Sequence, residues 1–183
     1  MRRAFGGTTL AVLFSGLLLG SAPAAVWAQA SASPADDGSG YPDIVIPSPA
    51  PEFAQKDIFQ RQTIDLKRYR GKVVVLNFWA TWCPPCKEEI PALKAIQAGH
   101  NRDVVVIGVS VFCSESSTEL FYADYKINYP MIYGSWDMMG QYGKVGAIPT
   151  TFLIDRNGTI QQRVVGARTQ DQYEALLKPL LAS

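Results

Sequence analysis

"NFWATWCPPCKEEIP", residues 77–91, sets two cysteines three positions apart where one hydrophobic pattern gives way to another. Upstream, "KVVVLNFWA" (72–80) is a nearly continuous apolar run, the pattern of a strand buried on both faces. Downstream, a helix is predicted over 84–98, with Pro84 in its first turn, where a missing N–H costs nothing. The cysteine motif therefore sits at the end of the strand and opens the helix. A helix N-terminus carries about half a positive charge and unpaired N–H donors, and both favour a thiolate at Cys83. Cys86 lies one turn further in, close enough to close a small disulfide ring and less exposed, which suits a resolving role. Pro84 and Pro85 stiffen that ring and bring no charge.

Outward from the motif the elements alternate. "EFAQKD" (52–57) and "QTIDL" (62–66) read as a short strand pair, and "DVVVIGVSV" (103–111) as a second buried strand. A helix is predicted over 115–126 behind the capping run "SESSTE" (114–119). "PMIY" (130–133) reads as a short extended piece and "SWDMMGQYG" (135–143) as a short helix or irregular segment. "TTFLID" (150–155) and "TIQQRVV" (159–165) flank the turn "RNG" as a hairpin, and "QDQYEALLKPLLA" (170–182) closes the chain as an amphipathic helix. No internal repeat is visible. The order predicts an α/β fold, a mixed central sheet flanked by helices, with an N-terminal strand-pair extension.

With 183 residues, 48% of them hydrophobic, the chain suits one well-buried domain plus an appendage. Lys and Arg total 17 against 16 Asp and Glu, without blocks of one sign, so there is no footprint for nucleic acid or an anionic membrane. The appendage reads as an export signal over 1–28: Arg2 and Arg3 precede the apolar run "LAVLFSGLLLG" (10–20), and small residues offer a cut after Ala28 or Ala30. An uncleaved membrane anchor is the alternative. Residues 29–48, rich in Ala, Ser, Gly, Pro and Asp, read as a flexible linker, and 49–183 as the folded domain. Export to the periplasm or another extracytoplasmic space puts the cysteines where disulfides persist, so a Cys-x-x-Cys pair there favours redox work over metal binding.

Other conspicuous residues take plainer readings. His100, the single histidine, has no histidine or cysteine at ligand spacing and reads as a surface residue, so no metal site is expected. "NGT" at Asn157 is a turn signal first. Met138 and Met139 face different directions and suit packing. Trp79 suits the core, and Trp82, just before Cys83, a contact surface around the sulfur. Cys113 is the only cysteine outside the motif; it reads as a buried bystander or as a third thiol on the sheet edge that carries Cys83.

The pair of motifs "NFWATWCPPCKEEIP" and "GAIPTTFLIDRNGTI" (146–160), with "PAPEF" (49–53) and "LKRYRGKVVVLNFW" (66–79), closely resembles the bacterial extracytoplasmic thioredoxin-like proteins of the TlpA and ResA type. The resemblance covers most of 50–182. It implies a thioredoxin fold, a reactive first cysteine at Cys83, and a cis proline at Pro149, with Trp82, Pro84, Pro85, Ile148 and Pro149 as the contact surface for clients. Glu89 matches the buried glutamate of ResA-like proteins, on the helix face of Cys86, where a carboxyl would accept the Cys86 proton during resolution; the alternative is a solvated helix glutamate beside Glu88. Asn77 stands where cytoplasmic thioredoxins have a buried aspartate, and it cannot exchange protons.

The resemblance further implies a thiol-disulfide oxidoreductase with no cofactor beyond its Cys83–Cys86 disulfide. It would draw electrons from a membrane thiol donor and reduce clients such as apocytochrome c or copper-site cysteines. A copper chaperone on the same fold would want cysteines spaced differently and a nearby histidine, and a peroxidase a Pro-x-x-x-Thr-x-x-Cys context; the sequence has none of these. A non-catalytic binding domain would not need the intact pair. With no histidine beside Cys83 and acids at Glu88 and Glu89, a reducing to intermediate potential is expected.

Overall fold

The computed structural model of the protein describes residues 43–59 and 62–182; the expected export signal and most of the expected linker lie outside these residues. Its elements run β1 (Ser48–Pro49), β2 (Ala54–Lys56), β3 (Thr63–Asp65), a 3₁₀ turn (Leu66–Tyr69), β4 (Val73–Trp79), α1 (Pro84–Gly99) and β5 (Val104–Ser110). The chain continues with α2 (Glu115–Tyr125), β6 (Met131–Tyr133), α3 (Trp136–Gln141), β7 (Thr150–Ile154), β8 (Thr159–Val165) and α4 (Gln170–Leu181). The segment 135–143, open between helix and irregular structure in the sequence, forms α3. Two elements carry no sequence signature of their own, the 3₁₀ turn and β1. Prolines flank and occupy β1, which conceals it, and an edge position tolerates them because it leaves one face of the ladder unpaired.

The main sheet has the order β1-β8-β7-β4-β5-β6, with β4, β5 and β6 parallel and the remaining pairs antiparallel. Both edges are short, two residues at β1 and three at β6, which limits unwanted pairing. The β2–β3 pair forms a second small sheet. Asp57, just after β2, is buried and accepts the Met131 N–H at 3.0 Å, while the Ile58 N–H donates to the Met131 carbonyl at 2.8 Å, so this extension is tied to the β6 edge.

Side-chain alternation divides the core into two layers. Val73, Val75 and Trp79 of β4 pack with Ile90, Leu93 and Ile96 of α1 and with Tyr173 and Leu177 of α4. Val74, Leu76 and Phe78 face the other way, against Phe152, Ile154, Met138, Met139 and Tyr142. Met138 and Met139 are therefore packing residues. Period 2 also sends Asn77 to the α1 side, and the antiparallel register sets it opposite Thr151 of β7. A polar pair thus enters an apolar layer immediately beneath the cysteine helix.

Gly108 in β5 shows how tightly that layer is filled. A Cβ there would come within 3.2–3.3 Å of Met131 Cγ, Trp79 Nε1 and Tyr129 Cε2. The buried indole N–H of Trp79 has no hydrogen-bond partner among the described residues. Trp79 stays buried through packing, including its ring contact with Phe121 at 4.7 Å.

Candidate active site

Cys83 ends the turn after β4 in an extended conformation and is the N-cap of α1. Its Sγ accepts the backbone N–H of Cys86 at 3.3 Å, so the sulfur occupies the place a serine or aspartate oxygen takes in an ordinary cap. Cys83 and Cys86 form a disulfide with their Cα atoms 5.3 Å apart. Both are buried, at 3% and 1% exposure, while Pro84 and Pro85 between them are exposed. The Ile148–Pro149 peptide bond is cis, and the Ile148 carbonyl oxygen lies 3.8 Å from Cys83 Sγ. The Gly166 N–H donates to the Pro149 carbonyl at 2.8 Å, which ties this loop to the end of β8. Trp82 is 59% exposed at the rim.

Glu89 lies three residues after Cys86 in α1 and is 1% exposed. Asn77 Nδ2 donates to Glu89 Oε1 at 2.7 Å and to Thr151 Oγ1 at 2.9 Å. Thr151 Oγ1 is 3.0 Å from the Tyr173 hydroxyl, which donates to Glu89 Oε2 at 3.1 Å. The four side chains close a ring of hydrogen bonds. Burial pushes the Glu89 carboxyl up to about 7, against the opposing pull of the Asn77 and Tyr173 hydrogen bonds, the backbone N–H of Arg168 and the Arg168 charge. Burial, with the Glu89 charge nearby, also raises the Tyr173 phenol, which stays protonated.

The ring suits both protonation states of the carboxyl. With Glu89 ionised, Thr151 donates to Tyr173 and Tyr173 to Glu89. With Glu89 protonated on Oε2, the acid donates to Tyr173 and the phenol turns to donate to Thr151. No contact of the ring need break when a proton arrives, and the hydrogen displaced from the ring is that of the Thr151 hydroxyl.

Cys113 is a free, half-buried thiol after β5. Its Sγ accepts the Thr81 N–H at 3.1 Å and its thiol donates to the Val111 carbonyl at 3.2 Å, so it braces the turn that leads into Cys83. His100 caps the far end of α1 and meets Glu174 at 2.9 Å, one helix length from the sulfurs. Sequence reasoning missed Thr151, Tyr173 and Arg168. Thr151 carried a usable signal, standing two residues after Pro149, whereas nothing local marks Tyr173 among the residues of α4.

A cysteine ring capping a helix, faced by a cis proline across a mixed sheet of this order, defines a thioredoxin-fold redox protein. Residues 46–163 match the AhpC/TSA family, and the chain belongs to that family. It is 33% identical to thiol-disulfide oxidoreductase ResA of Geobacillus kaustophilus, over 75% of this chain and 79% of that protein. Among solved structures it resembles a thioredoxin family thiol:disulfide interchange protein from Chlorobium tepidum, with a TM-score of 0.69 and 27% identity over 75% of this chain and 99% of that one. A secreted thiol-disulfide isomerase from Corynebacterium glutamicum matches with a TM-score of 0.66 and 25% identity, over 73% and 86% of the two chains. The protein is a thiol-disulfide oxidoreductase.

Proposed function

We propose that the protein is an exported reductant of disulfides in client proteins. In the reduced enzyme the Cys83 thiolate attacks a client disulfide, forming a mixed disulfide and releasing one client thiolate. Glu89 takes the Cys86 proton, and the Cys86 sulfur attacks Cys83, which restores the enzyme disulfide and releases the second client thiolate. Two electrons leave the enzyme and the client becomes a dithiol. A membrane thiol donor recharges Cys83 and Cys86, since an oxidising compartment would not. Clients such as apocytochrome c or copper-site cysteines fit this reaction.

The observation that carries this reading is the vertical order of groups along α1. Cys83 Sγ sits at the positive helix end and accepts the Cys86 N–H, and one turn below Cys86 is a buried carboxyl poised at about 7. A base near the working pH can take a thiol proton and give it back. The charged start and apolar run of residues 1–28, and the likeness to a secreted relative, support export.

Trapping tests it. A Cys86→Ala variant expressed in the native compartment should hold clients as mixed disulfides on Cys83, released by a thiol reductant. Adding Cys83→Ala should abolish every adduct. Adducts that persist without Cys83 would overturn the assignment of roles.

A further inference from the structure

Phe112 and Trp136 take no part in the chemistry above, yet with Trp82, the neighbour of Cys83, they form an exposed aromatic strip. Trp82, Phe112 and Trp136 are 59%, 46% and 75% exposed. The Trp82 indole N–H donates to the Phe112 carbonyl at 3.0 Å, and the Phe112 ring meets Trp136 edge-on at 4.9 Å. The three come from separate segments, the turn before α1, the loop after β5 and the first turn of α3. Phe112 is held at φ 55°, a left-handed conformation that bulky residues rarely adopt. Its neighbour Cys113 pins this loop to Thr81. Strained backbone and water-exposed aromatic surface both carry a cost that packing does not explain.

We propose that this strip docks the stretch of client polypeptide flanking the disulfide, and that it selects clients with an aromatic or long aliphatic side chain near the cysteine. The proposal rests on the reductant reading above. Cys83 is only 3% exposed, so a client chain has to press against the residues around it; Trp82, next to it in the chain and 59% exposed, is one of them, and client residues beyond Trp82 reach Phe112 and Trp136. Size argues for an extended segment rather than a second folded copy. Three aromatic side chains, each already partly covered, offer less than the roughly 150–250 Å² of a whole ring apiece, short of the roughly 800 Å² per partner of a stable dimer. An edge-to-face partner for Trp136 or Phe112 fits an aromatic side chain in particular.

The test uses the full chain and three disulfides: hydroxyethyl disulfide, and two peptides that differ in having Trp or Ser two residues from the cysteine. Wild type should favour the Trp peptide by roughly tenfold in kcat/KM. Trp136→Ala should erase that preference through KM and leave hydroxyethyl disulfide turnover unchanged, and Trp136→Phe should restore most of it. Equal losses on all three substrates, or a wild type without preference, would overturn the proposal. So would a wild-type dimer in sedimentation that Trp136→Ala dissociates, since the strip would then belong to self-association. A wild type that reduces none of the three would sink the reductant reading itself, and this proposal with it.

Discussion

Asn77 Nδ2 reaches Glu89 Oε1 at 2.7 Å across the boundary between β4 and α1, joining a central strand to the helix that carries the cysteines. The amide spends its other N–H on Thr151, its partner across the β4–β7 ladder. Asn77 thus fixes the carboxyl without itself titrating, and the proton chemistry of the buried layer is left to Glu89.

Glu89 binds its proton more tightly in the folded protein, with its carboxyl raised from 4.5 to about 7 chiefly by burial. The stability linked to that proton is fully present below pH 4.5 and is lost as pH rises through about 7. Glu89→Gln should remove this loss. Urea unfolding of the oxidised proteins should show the variant gaining on wild type between pH 4 and pH 8, by on the order of 3 kcal/mol at most. Parallel stability curves would refute the buried, proton-binding carboxyl.

Tyr173→Phe deletes a hydrogen bond that holds the Glu89 carboxyl down, so the carboxyl should rise above its value of about 7. Decay of a mixed disulfide on Cys83 should then have its pH midpoint shifted upward, with a stability loss of about 1–2 kcal/mol from the unpaired ring members. A midpoint that stays in place would remove Tyr173 from the proton chemistry.

In the oxidised protein Cys113 is the one free thiol. Alkylation followed by peptide mapping should label Cys113 alone, and slowly, given its half-buried position. Cys113→Ala strips the acceptor from the Thr81 N–H and should cost about 1 kcal/mol, while Cys113→Ser should recover most of it. Identical stability for all three proteins would show that the brace contributes nothing.

Cys83 draws its stabilisation from the α1 N-terminus and the Cys86 N–H, and the single histidine caps the opposite end of the same helix. A potential on the order of −250 mV, nearer thioredoxin than the DsbA-type oxidants, is expected. Equilibration with glutathione buffers measures it. A value near that of the DsbA-type oxidants would mean that the protein makes disulfides instead of reducing them.

The chain order of strands and helices was legible because each rests on a local period, 2 along 73–79 and 3.6 along 84–99, or on a local signal such as the cap at Ser114. The cysteine ring was legible for the same reason, since Cys83 and Cys86 are one turn apart in one helix. β1 was not, because its short pairing with Ile160 and Thr159 leaves no pattern within its own two residues.

Sequence alone determined that a thiol at a helix start could form a small ring with its neighbour, and, by spacing, that Glu89 shares the helix face of Cys86. Only the tertiary structure decided what surrounds that carboxyl. The Asn77–Thr151 contact spans 74 positions, the Glu89–Tyr173 contact 84, and each depends on strand register and helix placement that no local window contains. The aromatic strip is of the same kind: Phe112 and Trp136 are ordinary in their own segments, and they join Trp82 in one surface because the β4 and β5 ends and the start of α3 meet at one edge of the fold. Local propensity acts over a few residues, whereas burial of a carboxyl or exposure of a tryptophan is set by which distant segments exclude water from it.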